Sequence, residues 1–218
     1  MTTADLAHAA HADHGHDEPA EDPHFGKATG GKIAMWMFIA QDGMSFGGLL
    51  LAYGLLRFSS VDWPQPSDIL GIPLTAFATF VLICSSLTMV MAVEGAKNRD
   101  QGALTKWLGL TIFGGLIFLG IQVYEYSALV HEGITFATST WEGVPINDRF
   151  GSTFYAVTGF HGMHVFSGVV YLICILLKAM RGEYTQGGNS YSPVELVGLF
   201  WHFVDLVWIL VFTFIYLL

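Results

Sequence analysis

The chain has 218 residues, with nine Lys and Arg against eighteen Asp and Glu, so its formal net charge is −9. Only 12% of the residues are charged and 53% are hydrophobic, whereas a soluble domain carries roughly 25% charged residues. This composition excludes an ordinary soluble or disordered protein, and the acidic balance disfavours binding to nucleic acid. The sequence therefore predicts an integral membrane protein.

Five stretches of the chain are long and apolar enough to cross a bilayer. A hydrocarbon core about 30 Å thick requires about 20 helical residues. Because backbone polar groups in lipid must be satisfied within the segment, these stretches are expected to be helices. We predict an all-α, polytopic membrane protein with a bundle of five transmembrane helices. The predicted spans are Ile33–Phe58, Leu70–Val93, Trp107–Val130, Phe150–Leu177 and Val194–Leu218.

Basic residues at the ends of the apolar stretches and between them predict the orientation of the bundle. Seven of them lie on the side of the N-terminus, and two, Arg57 and Arg149, lie on the other side. By the positive-inside rule the N-terminus is cytoplasmic and the C-terminus faces outward. The seven are Lys27, Lys32, Lys97, Arg99, Lys106, Lys178 and Arg181.

Residues 1–31 differ in composition from the rest of the chain. Histidines alternate there with Ala, Asp and Glu, and no apolar segment follows Met1. We expect a disordered His- and Asp-rich cytoplasmic tail over 1–31, neither signal nor transit peptide, and a membrane domain over 32–218. The alternative is a weak divalent-metal site, because histidine clusters bind Zn or Ni. The tail histidines are His8, His11, His14, His16 and His24.

The two cysteines, Cys84 and Cys174, each lie within a long apolar run. We expect both to be small buried side chains. A single pair of cysteines in such positions gives no disulfide framework.

Polar side chains inside the spans are informative, because an ionisable group at the bilayer centre costs about 2.5–3.5 kcal/mol. Asp42 lies near the middle of the first span. It is interpreted either as a proton-exchanging carboxyl or as a protonated carboxyl that is hydrogen-bonded across a helix interface. Gly43 and Gly47 beside it allow another helix to approach closely.

Spans three and four each carry a polar pair at a spacing of three residues, which places both members on one helical face. Gln122 and Glu125 are interpreted as an interhelical hydrogen-bonding pair. His161 and His164 are interpreted either as metal ligands or as donors to carbonyl or carboxylate groups on neighbouring helices.

The last span carries a polar stripe of Glu195, His202 and Asp205 in an otherwise apolar helix. This stripe is expected to point inward or toward a partner, and the simpler interpretation is a buried network that holds the bundle together. Glu94 lies beside Lys97 at the end of span two. It is interpreted either as part of a site for lipid headgroups or as a surface charge paired with Lys97.

Four segments resemble subunit III of haem–copper terminal oxidases, the cytochrome c oxidase subunit 3 family, in its five-helix bacterial form. The resemblance runs from about Lys32 to Leu218. Asp42 stands in the position of the family's carbodiimide-reactive carboxyl, where cytochrome c oxidases commonly have Glu. The four segments are Met37–Asp42, Gln122–Tyr126, Phe150–Val165 with the following Gly168, and Val194–Glu195 with Trp201–Trp208.

The resemblance implies a non-catalytic subunit of a bacterial respiratory oxidase, which reduces O₂ to water and translocates protons. It implies no catalytic centre and no cofactor in this chain, since haem and copper belong to partner subunits. The implied partners are subunit I as main contact, subunit II and other oxidase subunits, phospholipids and a respiratory supercomplex, in the bacterial cytoplasmic (inner) membrane. Structural, lipid-binding or proton-related roles fall on Asp42, Glu94, Gln122, Glu125, His161, His164, Glu195, His202 and Asp205.

Two other functions stay open at this point. The first is a related subunit of nitric oxide reductase, whose complex holds haem and non-haem iron rather than haem and copper. The second is an intramembrane haem or di-iron protein that uses His161, His164 and His202 as ligands. A di-iron site of the desaturase type needs more histidines than the membrane part holds.

Overall fold

The computed structural model describes residues 30–141, 144–184 and 191–218. Within these residues, five helices are long and apolar enough to cross a membrane, which confirms the predicted all-α polytopic fold. Residues 1–29, with the five tail histidines, lie outside the described residues. The helices are α1 (Gly30–Ser59), the short α2 (Pro66–Ile69), α3 (Ile72–Lys97), α4 (Gln101–Glu132), α5 (Asp148–Met180) and α6 (Ser192–Val211), and α6 continues as a π-helical turn over Phe212–Leu217.

Helix α4 begins and ends at capping residues rather than at the limits of its apolar stretch. Helix α4 begins after Asp100, whose carboxylate accepts a hydrogen bond from the Ala103 N–H at 3.0 Å, and ends at Gly133 with φ 98°. Such a left-handed residue commonly ends a helix, because glycine adopts it without steric strain.

A small β-hairpin lies between α4 and α5, where no strand was predicted. Its two strands, Thr140–Trp141 and Val144–Pro145, pair antiparallel. Strands of two residues are too short to show an alternation of polar and apolar side chains, so they cannot be predicted from the sequence pattern. The segment before the hairpin is held to the bundle by Tyr155, whose hydroxyl donates to the Ile134 carbonyl at 2.9 Å.

Helix α6 is the most buried of the five spans and α1 the least. Helix α6 packs against α1, α3 and α5, and α3 packs along α4. The close approach of α3 and α4 needs glycine at residue 114, where a Cβ would lie 2.8 Å from Ser85 Cβ. The prediction that Cys84 and Cys174 are buried is wrong, because both side chains are exposed on the outer surface of the bundle.

The two ends of the bundle carry different charged groups. At one end, here the Lys32 end, Lys32 and Lys97 both contact Glu195. At the other, the Arg57 end, the Arg57 guanidinium donates to the carbonyl of Leu218. The basic residues of α1 and α3 that were assigned to one side therefore meet at one end, while the side of the membrane each end faces stays a prediction.

Candidate functional site: the polar interior of the bundle

Trp201 of α6 is held in a socket between α4 and α5. Its ring fills the space left by two glycines: a Cβ on Gly115 would lie 2.7 Å from the indole, and one on Gly168 would lie 3.0 Å from it. The indole N–H donates to Ser85 Oγ of α3 at 3.1 Å. This one side chain therefore fixes the spacing of four helices around the polar interior.

Asp42 of α1 faces His164 of α5, with 3.3 Å between Asp42 Oδ2 and His164 Nε2. The other ring nitrogen, Nδ1, lies 2.7 Å from the Phe160 carbonyl, so Nδ1 carries a proton. The lone pair of a neutral His164 would then point at a carboxylate oxygen, which is repulsive. Asp42 Oδ2 has no hydrogen-bond partner of ordinary geometry among the described residues, so its nearest polar neighbour is the His164 ring nitrogen.

His161 lies one turn from His164 on α5 but points into the core. Its side chain is fully buried, and its ring stacks on Trp208 with 4.8 Å between centroids. Neither ring nitrogen has a hydrogen-bond partner among the described residues. The two histidines therefore have different neighbours, and no group of three or more metal-binding side chains occurs in the part of the chain that the structure describes.

Gln122 and Glu125 are both buried on α4, and each bonds to a different helix. The Gln122 amide donates to the Thr158 carbonyl of α5 at 3.1 Å. Glu125 accepts one hydrogen bond from Thr75 of α3 at 3.0 Å and one from Tyr216 at 2.8 Å. The pair thus joins α4 to three neighbouring segments.

The polar stripe of α6 is divided between two environments. Glu195 lies at the Lys32 end, 2.7 Å from Lys32 Nζ and 3.8 Å from Lys97 Nζ. Deeper in the bundle, His202 Nδ1 lies 2.6 Å from Ser86 Oγ. Asp205 is buried near Ser86, but neither carboxylate oxygen makes a hydrogen bond of ordinary geometry with the described residues.

Glu94 does not pair with Lys97, so that alternative is wrong. Lys97 approaches Glu195 instead, and Glu94 Oε1 accepts a hydrogen bond from the Asn98 amide one turn further along α3 at 3.1 Å. The Glu94 carboxylate is exposed beside the Lys32–Glu195–Lys97 cluster.

The sequence reasoning missed the hydroxyl groups of α3. Thr75, Ser85 and Ser86 bond to Glu125, Trp201 and His202 respectively, and Thr79 accepts the Trp208 indole N–H at 2.8 Å. The available signal was a series of Ser and Thr residues in a span without formal charge. In lipid such side chains commonly bond across helices.

These contacts define an integral membrane protein of five spans whose interior polar groups bond mainly between its own helices. Residues 24–218 match the family described as Cytochrome c oxidase subunit III. The chain therefore belongs to this family and has the role of a subunit III in a haem–copper oxidase. Family membership argues against the intramembrane haem or di-iron protein. A related subunit of nitric oxide reductase would keep the family and change only the partner complex, and it is the names of the relatives that favour an oxidase.

Individual relatives carry corresponding names. Cytochrome c oxidase subunit 3 of Bacillus sp. (strain PS3) is 32% identical over 188 residues, which cover 85% of this chain and 84% of the relative. The Corynebacterium diphtheriae protein of the same name is 34% identical, over 83% and 84%. A probable quinol oxidase subunit 3 of Staphylococcus haemolyticus is 30% identical, over 93% and 96%.

Proposed function

We propose that this chain is a non-catalytic subunit that stabilises subunit I of its oxidase and protects the site of O₂ reduction during turnover. The observation that carries this proposal is that Asp42, Glu125 and His202 each have a partner on another helix of the same chain. Such pairing stabilises a scaffold. The haem and copper of the complex belong, in this proposal, to partner subunits.

The Asp42–His164 pair gives the subunit a means of supporting proton uptake. A pair that holds one proton between two side chains can accept or release it while the helices stay in place. In the proposal Asp42 exchanges protons, and the alternative is a purely structural contact between α1 and α5. Because related subunits are named for cytochrome c and for quinol oxidases, the electron donor is left open.

The proposed setting is the bacterial cytoplasmic membrane, with the Lys32 end facing the cytoplasm. Lys32, Lys97 and Arg99 would then lie among phospholipid headgroups, where each basic residue near an anionic surface contributes about 1 kcal/mol. Residues 1–31 would form a cytoplasmic tail next to the membrane domain of residues 32–218. Subunit I is the proposed main contact, and subunit II, further oxidase subunits and a supercomplex are further partners.

The test compares the purified oxidase with and without this subunit. We expect both preparations to have the same haem and copper content and similar initial rates of O₂ consumption. The preparation without the subunit should lose activity faster during sustained turnover. Full activity throughout turnover without the subunit would remove the protective role, and haem or iron retained by the isolated chain would contradict the assignment of cofactors to the partners.

A further inference from the structure

Helix α1 leaves one side uncovered by the rest of the chain. Its buried side chains, Asp42, Phe46 and Tyr53, face inward. On the opposite side, seven exposed residues follow one another at alternating spacings of three and four, the spacing at which one helix packs along another. This row, here the outer seam of α1, consists of Ala34, Met37, Gln41, Met44, Gly48, Leu51 and Leu55.

The outer seam contains a side chain that lipid cannot satisfy. Gln41 is exposed, and it lies eight residues after Ile33, or about 12 Å into the predicted span. Its carboxamide has two N–H donors and a carbonyl acceptor, whereas hydrocarbon chains offer neither a donor nor an acceptor. Within the predicted spans, all of which the structure describes, every other carboxamide, carboxyl or imidazole group is buried or half-buried. Gln41 therefore needs a polar partner outside this chain.

The seam is narrow on both sides of Gln41. Ala34 precedes it by two helical turns, and Gly48 follows it by two turns. A Cβ on Gly48 would meet no atom of this chain within 4 Å. Small residues at such positions let the backbones of two transmembrane helices approach closely. Between them, Met44 projects far enough to fit between residues of a facing helix.

The outward faces of α3 and α4 lack this combination. Phe77 and Phe80 project from α3, and Phe113 and Leu116 project from α4. Bulky side chains of this kind hold a second helix away, and lipid chains cover them without a hydrogen bond. The seam of α1 is therefore suited to a helix rather than to lipid.

We propose that the outer seam of α1 packs along one transmembrane helix of subunit I. The two helices cross at about 20° in the left-handed sense, which is common in membranes. Gln41 bonds to a polar side chain or a free backbone carbonyl of the facing helix, and this single polar contact fixes the register of the pair. The inference rests on the proposed contact with subunit I and specifies the surface of this chain that makes it.

The experiment uses the intact oxidase with the photo-cross-linking amino acid benzoylphenylalanine in place of Met44, whose side chain is 79% exposed. The membranes are irradiated, and mass spectrometry identifies the chain and peptide that are joined to this subunit. We expect a transmembrane peptide of subunit I. The matched control carries the same amino acid in place of Leu116, which is exposed on α4, and it should not give this product.

Two substitutions test the polar contact and the close approach. Gln41→Leu should raise the rate at which this subunit is lost from the detergent-solubilised oxidase about fivefold, since a hydrogen bond between helices in a membrane contributes about 1 kcal/mol. Gly48→Leu should also raise that rate, because a large side chain separates the two backbones. Gly120→Leu on α4 is the matched control, since a Cβ there likewise has no atom within 4 Å. The amount of each variant in the membrane before solubilisation shows that it has folded and inserted.

Each of four outcomes overturns the inference. A product with subunit I from position 116 and none from position 44 moves the contact to another helix, while subunit I stays the main contact. A product from position 44 with a different chain, or with a second copy of this one, also contradicts that part of the proposed function. No cross-linked protein from position 44 means that lipid covers the seam. Equal rates of loss for Gln41→Leu and Gly120→Leu mean that Gln41 has no polar partner in the complex.

Discussion

The Tyr216 hydroxyl donates a hydrogen bond to Glu125 Oε2 at 2.8 Å and thereby ties the π-helical turn after α6 to α4. The other oxygen of Glu125 accepts from Thr75 at 3.0 Å. Both oxygens of the carboxyl group thus have a hydroxyl partner on another segment. The arrangement closes the Arg57 end of the bundle around a buried polar group.

Tyr216→Phe should destabilise the bundle by about 1–3 kcal/mol, because it removes one of two donors to a buried carboxylate. Circular dichroism of the purified complex during heating measures the effect. Tyr124→Phe is the matched control, since Tyr124 is 64% exposed on the same helix as Glu125. Equal midpoints for the two variants would show that the hydrogen bond contributes nothing to stability.

Gly115→Ala should destabilise the packing of α6 by about 1–3 kcal/mol, as is usual for overpacking. The new Cβ would lie 2.7 Å from the Trp201 ring and 2.8 Å from Val169. The fraction of this subunit that stays in the complex after mild heating, followed by size-exclusion chromatography, reports the loss. Gly120→Ala on the same helix has no atom within 4 Å of the added Cβ and should behave like the parent.

Two replacements of Asp42 should separate the effect of its contact with His164 from the effect of its titratable carboxyl group. Asp42→Asn keeps a donor for His164 Nε2, so it should preserve the fold while it removes the titratable carboxyl. Asp42→Ala leaves the partly buried His164 Nε2 without a partner and should destabilise the chain by about 1–3 kcal/mol.

Thermal unfolding of the two Asp42 variants beside Asp68→Asn, a change on an exposed carboxyl, tests this difference. If the Asp42→Asn and Asp42→Ala variants unfold at the same temperature, the contact with His164 does not contribute to the stability of the chain. If the carboxyl exchanges protons, proton uptake by the oxidase should slow in both variants.

Glu195→Gln should weaken the contacts among the ends of α1, α3 and α6 by about 1 kcal/mol at most. The value is small because both lysines are partly exposed and solvent screens the pairs. The difference from the parent should shrink as salt is added, because the Debye length falls from about 10 Å at 0.1 M to 3 Å at 1 M. Glu183→Gln serves as control, and a salt-independent loss would argue against an ionic cause.

The sequence predicted the five spans, because hydropathy reports directly on what can enter a bilayer. It did not predict where each helix ends: α4 runs from Gln101 to Glu132, whereas the predicted span was Trp107–Val130. It also failed for Cys84 and Cys174, which face outward. An apolar run does not show whether a given side chain faces lipid or the protein interior, because lipid chains are as apolar as a leucine-rich core.

The polar residues themselves were found from sequence, but most of their partners were not. Asp42 stood out because a charge in a span is expensive, whereas nothing in the sequence links it to His164 on a helix far along the chain. Likewise the Glu195 contacts join the ends of three separate helices. Such pairings depend on how the helices are arranged, and periodicity within one helix carries no information about that.

The Trp201 socket has a consequence for how the chain is made. Helix α6 leaves the ribosome after α3, α4 and α5, although its indole separates Gly115 from Gly168 and bonds to Ser85. The earlier helices therefore enter the membrane with the central slot between them unfilled. The hydroxyl groups of Ser85 and Thr79 on α3 accept the indole N–H groups of Trp201 and Trp208 only after α6 has packed against α3. Closure of the bundle around Trp201 therefore follows the synthesis of α3, α4 and α5.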